Sequence, residues 1–338
     1  MSDKTAMSDK TAVSDKTAVS DKAVMSDKNS LSNWKIKAVD DHYVGSFFCM
    51  ASPCEILIDT HNLSLARKLI EHAAIEAFRI EKKYSRYRDD NIIYAINNAH
   101  GRSIAIDMET FQLLTFANTC YELSDGLFDL TSGVLRRAWK FDGSDNIPKQ
   151  STIDKLIPYI GWDKISFDEH TIKMPSGFEL DLGGIGKEYA VDCVAKICKE
   201  IAPAVSVLVN FGGDIQVTLP KSKGNYWQVG IEMPVQDLAE EGTKNSLSTQ
   251  YQTVLVRIAQ GGLATSGDAN RYLMRDNVRY SHVLNPKTGK PISNAPRSVT
   301  VASEHCVQAG LMATLSLLQG DQAEQFLKEQ SVTHWCYW

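Results

Sequence analysis

No apolar run in this 338-residue chain approaches the roughly 18 residues that a membrane-spanning helix needs, so no membrane span is expected. No CxxC pair stands among its seven cysteines, at 49, 54, 120, 193, 198, 306 and 336. An odd number without paired spacing argues against a disulfide framework and against a zinc cluster, and free thiols suit a reducing compartment. The first residues lack the apolar stretch of a secretory or lipoprotein signal, which makes the cytoplasm the expected location. No basic block offsets the net charge of −5, so no nucleic-acid partner is expected. A P-loop is missing, and so is the GxGxxG spacing of a dinucleotide-binding fold.

What remains is ordinary for a globular protein: 43% hydrophobic and 23% charged residues, enough for one large domain or two lobes. Residues 1–30 are a degenerate six-residue repeat, MSDKTA, MSDKTA, VSDKTA, VSDKAV, MSDKNS. Without aromatic and with few large apolar residues it cannot offset the entropy of ordering, and a disordered tail is expected. The folded domain is placed at 34–338, beginning at Trp34.

Residues 43–60 read as a hairpin of two strands. Apolar residues at 66, 70, 73, 77, 80 and 84 carry a helical period, with Asn62 or Ser64 as the cap. A second helix covers about 108–124 and stops at Ser124-Asp125-Gly126. Residues 160–182 alternate short strands and turns. Helices follow at about 187–201, 305–318 and 321–329, and strands at about 226–232, 252–259, 297–302 and near Trp335. The segment 236–250 is a polar loop, and "VSVLVNFGGDIQVTL" is a strand broken at Gly212 and Gly213. Strands and helices mix without regular alternation, which favours α+β: mixed sheets with packed helices.

Chemistry concentrates in glycine-bearing stretches. In "LDLGGIGKEYAVD" (180–192) a strand end, a glycine turn, a lysine and a helix start follow one another. Such a turn is either a structural hinge or a way of presenting backbone N–H groups to phosphate. Four more stretches are read as turns or loops of small residues: "SDGLFDLTSG", "NFGGDI", "GLATSGD" and "YSHVLNPKTGKP". Such loops let a ligand approach the backbone closely. The structural alternatives are that Asp214 caps a turn, Asp125 and Asp129 are turn acids with no ligand, Tyr87 is only a packing residue, His305 starts a helix, and Arg136 and Arg137 form a solvated face.

With "YSRYRDDNIIYAIN" (84–97) and the trailing Trp139 of "SDGLFDLTSGVLRRAWKF", these motifs resemble the FAD:protein FMN transferase (ApbE-type) family, in its order, from about Tyr43 to the last strand. The resemblance implies an ApbE-like fold with the FAD site in a cleft. It also implies cleavage of the FAD pyrophosphate with Mg²⁺, release of AMP, and attachment of FMN to a Thr or Ser hydroxyl of a flavin-accepting redox protein. Carried over by motif, Tyr87, Leu127, Phe128, Asp129, Asp181, Lys187, His282 and Leu284 would hold FAD. Gly184, through its carbonyl, and Thr314, through its hydroxyl, would ligate the metal. Lys187 would steady phosphate charge, and His282 would take the target's proton.

Four positions depart from the family pattern. Gly310 stands where an aspartate ligates the metal, four residues before Thr314, and Glu188 replaces the glycine after the lysine. Asn285 and Asn91 are milder changes. Water, FAD phosphate oxygens, or Glu240 and Glu241 of the polar loop could complete the metal site, and restoring Gly310→Asp is expected to strengthen it. The alternatives are a non-catalytic flavin carrier or assembly protein, and an FAD pyrophosphatase.

Overall fold

The computed structural model describes residues 33–142, 144–234, 251–268, 272–276 and 278–338. The expected tail at 1–30 and the polar loop at 236–250, with Glu240 and Glu241, lie outside the described residues.

Alternating side chains build the centre. Strands β1 (Lys35–Val39), β2 (His42–Cys49) and β3 (Ser52–Ile58) make consecutive antiparallel hairpins, the second of them matching the one expected at 43–60. Three short strands, β4 (Ser103–Ala105), β5 (Ser166–Phe167) and β6 (Thr171–Lys173), form a small separate sheet. Then come β7 (Val207–Phe211), β8 (Asp214–Val217), the hairpin β9 (Trp227–Pro234) and β10 (Tyr251–Ile258), and β11 (Gly261–Gly267). The hairpin β12 (Tyr272–Arg275) and β13 (Val278–Ser281) precedes β14 (Ser298–Ser303) and β15 (Thr333–Tyr337). The main sheet has eight strands in the order β1-β2-β3-β7-β8-β11-β14-β15, and every described pairing is antiparallel. An antiparallel sheet with helices to one side is an α+β architecture, as expected.

The helices are α1 (Leu63–Tyr84), α2 (Ile92–Asn97), α3 (Met108–Leu123), α4 (Gln150–Asp154), α5 (Gly186–Ile201), α6 (Cys306–Leu318) and α7 (Ala323–Glu329). Asn62 caps α1 by accepting from the Leu65 amide, and Ala66, Ile70, Ala73, Ala77, Ile80 and Tyr84 are its buried stripe. Helices α1, α5 and α6 cover one face of the sheet. Val207, Val209 and Phe211 point to them, while Leu208 points to the opposite face, where Trp227 and Ile231 of β9 close a second core. None of the described helices is long and apolar enough to cross a membrane.

Three local expectations change. Residues 180–182 are not a strand end: the Leu180 amide donates to Asn97 Oδ1 (2.7 Å) and that of Asp181 to the Leu130 carbonyl (2.9 Å). "GLATSGD" is not a loop but most of β11. Its small residues have a packing cause, since a Cβ on Gly262 would sit 2.4 Å from the Cys306 amide nitrogen at the start of α6. The Gly-Gly break is a two-residue hairpin turn, with Gly212 at φ +61° and Gly213 at φ +101°, a conformation that side chains resist.

Glu109 of α3 gathers three helices. It accepts from Arg79 (2.7 and 2.9 Å) and Lys83 (2.5 Å) of α1 and from the Tyr189 hydroxyl of α5 (2.9 Å). Its hydrogen bonds with Arg79, aided by those from Lys83 and Tyr189, hold the carboxyl down to about 2 against the opposing effect of burial. A carboxyl whose pKa is lower folded than unfolded stabilises above the unfolded value, and loses that contribution as pH falls through the folded one. We therefore expect stability to fall between the ordinary carboxylate value of 4.5 and about 2. With Arg79 43% exposed, the screened contribution is about 1–2 kcal/mol. Unfolding of Glu109→Gln in urea at neutral and acid pH should show this acid loss reduced.

Candidate active site

Helix α5 starts directly after the glycine turn, which puts Lys187 in its first turn beside the β7–β8 hairpin. Its ammonium lies 2.8 Å from Asp214 Oδ2. Asp214 is only 2% exposed, and the Thr265 amide also points at it (3.3 Å). Burial pushes the Asp214 carboxyl up while Lys187 pulls it back; burial alone would lower Lys187, but Asp214 more than offsets that. The pair is a charged one, with one member nearly inaccessible. Asp214 is thus not the turn cap that was expected: Asn210 Oδ1 takes the Gly213 amide instead (2.9 Å).

One residue on, Glu188 points at α6. A Cβ added to Gly310 would lie 2.7 Å from Glu188 Cγ, 3.0 Å from its Oε1 and 3.1 Å from its Cδ. Glu188 is 9% exposed, and its Oε2 is buried without a hydrogen-bond partner among the described residues. Burial and the nearby Asp214 carboxylate push its carboxyl up to about 8. A turn further along α5, Asp192 accepts from the Cys306 and Val307 amides (3.0 Å each) and so fastens the start of α6. The side chain of His305, at that helix start, makes no cap bond. Thr314, a turn beyond Gly310, shares a 2.8 Å hydrogen bond with Ser266 of β11.

A second group surrounds Asp181. Its carboxylate pairs with Arg86 (2.8 Å) and Arg136 (3.1 Å), and Arg86 and Arg137 pair with Glu179. Three guanidiniums against two carboxylates leave one cation in excess. Arg136 and Arg137 lie exposed, as the solvated-face reading has it, and are also anchored by the two carboxylates. Tyr87 is 74% exposed, with Arg136 reaching its hydroxyl (3.5 Å), so it is no core residue.

Asp129 has no spare oxygen. Oδ1 takes the amide and hydroxyl of Thr131 (2.7 and 2.6 Å), and Oδ2 takes the Trp162 amide (3.0 Å). It shapes the loop that presents Leu127 and Phe128. Phe128 in turn lies against the glycine turn, 3.3 Å from where a Gly184 Cβ would stand. Asn91, in place of a serine, caps α2 through the Tyr94 amide (2.9 Å) and also donates to the Ser85 carbonyl.

His282 directly follows β13 and meets Phe141 edge-on, 6.3 Å between ring centres. Leu284 bridges Pro291, and Asn285 closes the turn between them through the Lys287 amide (2.8 Å). Trp139 Nε1 donates to the Gly289 carbonyl (2.8 Å), which fixes this loop to the 3₁₀ helix Leu130–Arg137. The other side of that helix holds Asp181, so one short element braces both groups. Among the described residues no group of three or more His, Cys, Asp and Glu side chains forms a metal cluster. Lys187–Asp214, Glu188–Gly310 and the Arg86–Asp181 pairing were not foreseen; an acid and a base flanking the glycine turns were their only signal.

Residues 50–336 match the profile of the ApbE family, and the chain belongs to that family. It is 28% identical over 283 residues to the FAD:protein FMN transferase of Klebsiella pneumoniae, covering 81% of each chain. Identity to the enzyme of the same name from Vibrio cholerae is 26% over 249 residues, 72% of this chain and 71% of that one. The crystal structure of the ApbE protein of Thermotoga maritima superposes with a TM-score of 0.75 at 26% identity, covering 87% of this chain and 94% of that one.

Proposed function

We propose that this protein is a cytoplasmic, Mg²⁺-dependent FAD:protein FMN transferase acting on a Thr or Ser hydroxyl of a flavin-accepting redox protein. The observation that carries this reading is the Lys187 ammonium, held by a nearly inaccessible Asp214 at the helix start that follows the glycine turn, in a chain of this family. Backbone N–H groups at such a helix start, with a lysine oriented beside them, suit a pyrophosphate.

Each group then has one task. The target hydroxyl oxygen bonds to the FMN phosphorus, the bond from that phosphorus to the bridging oxygen breaks, and AMP leaves with the bridging oxygen. His282 accepts the hydroxyl proton, and Lys187 stabilises charge building on the leaving phosphate. Tyr87 offers an exposed ring for stacking, beside the excess cation of the Arg86–Arg136–Arg137 group. Leu127, Phe128 and Leu284 supply apolar wall, while Asp129 and Asp181 hold the loops.

The residues present fit Mg²⁺: the Gly184 carbonyl and Thr314 hydroxyl are hard oxygen donors, and the Glu188 carboxyl group stands beside position 310 with its other oxygen, Oε2, buried and unpartnered among the described residues. Bound there, the ion would neutralise pyrophosphate charge.

The test is incubation with FAD, Mg²⁺ and a Thr-bearing acceptor, following AMP and the acceptor's mass. AMP with an FMN adduct supports transfer. AMP alone indicates a pyrophosphatase, and unchanged bound FAD a carrier. His282→Ala should lower transfer about 100-fold or more while FAD still binds. Transfer at the wild-type rate across the pH range would remove His282 from the reaction.

A further inference from the structure

Two departures that lie far apart in sequence meet in space. Gly310 of α6 lacks a side chain, and the volume its side chain would fill holds the Glu188 side chain of α5. We infer that Glu188 supplies, from the opposite helix, the carboxylate ligand that position 310 does not, so that the Mg²⁺ site is completed across the α5–α6 interface.

The geometry carries this in three ways. First, a glutamate is one methylene longer than an aspartate, which compensates for starting on the neighbouring helix and leaves the carboxylate beside the notch at 310. Secondly, Thr314 lies one turn after Gly310, so a carboxylate in that notch and the Thr314 hydroxyl stand on the same stretch of α6. Thirdly, the buried Oε2 has no hydrogen-bond partner among the described residues, whereas the adjacent Lys187 ammonium is engaged by Asp214. A buried carboxylate oxygen without a donor is costly unless something else satisfies it. A divalent cation does so, and Asp192 and Ser266 hold the two walls of the site in place.

The inference rests on the metal-dependent reading above, and its test separates the two. Mn²⁺ is titrated into the full-length protein saturated with FAD, and the free ion is followed by electron paramagnetic resonance. Glu188→Gln keeps the volume and removes the charge; its Mn²⁺ affinity should fall roughly 10-fold or more with the melting temperature little changed. The exchange Glu188→Gly with Gly310→Asp, which moves the carboxylate to α6, should bring affinity back to within about threefold of wild type. Wild-type and Glu188→Gln proteins binding Mn²⁺ equally would overturn the assignment and leave the transferase reading intact. A wild-type protein that binds no Mn²⁺ with FAD present would overturn both. If Glu188→Gln did not fold, Glu188→Ala decides: a folded variant that binds Mn²⁺ roughly 10-fold or more weakly supports the assignment, and one that binds as the wild type does overturns it.

Discussion

Lys187→Met should lower FMN transfer on the order of 10²–10³-fold, because it removes the positive charge aimed at the leaving phosphate. It should also destabilise the fold, and for a separate reason. Asp214 is 2% exposed and is partnered by Lys187 at 2.8 Å, so the variant leaves a carboxylate with only the long contact from the Thr265 amide. Breaking a buried pair by removing one member costs about 3–5 kcal/mol; with the lysine side chain 32% exposed, we expect about 2–3 kcal/mol. The two effects can be separated. Adding Asp214→Asn to Lys187→Met removes the stranded charge, so the double variant should recover most of the stability and none of the transfer. Chemical unfolding of the three variants, with AMP release measured on each, checks both parts. Equal stability of the single and double variants would show that Asp214 does not depend on Lys187. Wild-type transfer by the lysine variant would remove it from the catalytic group.

Much of the fold was legible because it is written in local periods. The stripe at 66, 70, 73, 77, 80 and 84 specifies α1, and Asn62 its start, since both signals act within a turn or two of chain. The Ser124-Asp125-Gly126 stop works in the same way: Asp125 and Gly126 adopt positive φ. What failed was non-local. Leu180–Leu182 has the apolar pattern of a strand, yet its partners are the Asn97 side chain and the Leu130 carbonyl, which no pattern within the segment announces. In "GLATSGD", small residues suggested a loop, but their cause is the backbone of α6 lying against β11.

The site divides along the same line. Motif order placed Lys187, Asp181, Phe128 and His282 in the sequence, but not their partners. Asp214 read as a turn acid because its turn is real; only the fold brings Lys187 across to it, while Asn210 caps the turn. Arg136 and Arg137 read as a solvated face because two adjacent arginines rarely go inside; both are exposed, and Asp181 and Glu179, distant in sequence, also anchor them. Glu188 and Gly310 looked like two unrelated departures. Read one at a time, the glycine suggests a lost ligand and the glutamate only a replaced glycine; the helix packing puts the two in contact.

That contact reverses the expectation for Gly310→Asp. From sequence alone the substitution restores a ligand and should strengthen the site. In the structure its Cβ would lie 2.7 Å from Glu188 Cγ, closer than carbon atoms pack, and a second carboxyl would enter the space that the Glu188 carboxyl already fills. Glu188 must then leave its place or the helices must part; overpacking of this kind costs about 1–3 kcal/mol. Two carboxyls in one buried space also oppose each other's ionisation, which raises the cost further at neutral pH. We expect Gly310→Asp alone to lose about 2–4 kcal/mol of stability. Adding Glu188→Gly removes both causes and introduces only a helix glycine, worth about 1 kcal/mol. The double variant should therefore be more stable than Gly310→Asp alone, although glycine is the poorer helix former. Denaturant unfolding of the wild type, both single variants and the double closes a thermodynamic cycle, and the coupling should be favourable by more than about 1 kcal/mol. Additive effects would mean that Glu188 does not occupy the place of the missing side chain.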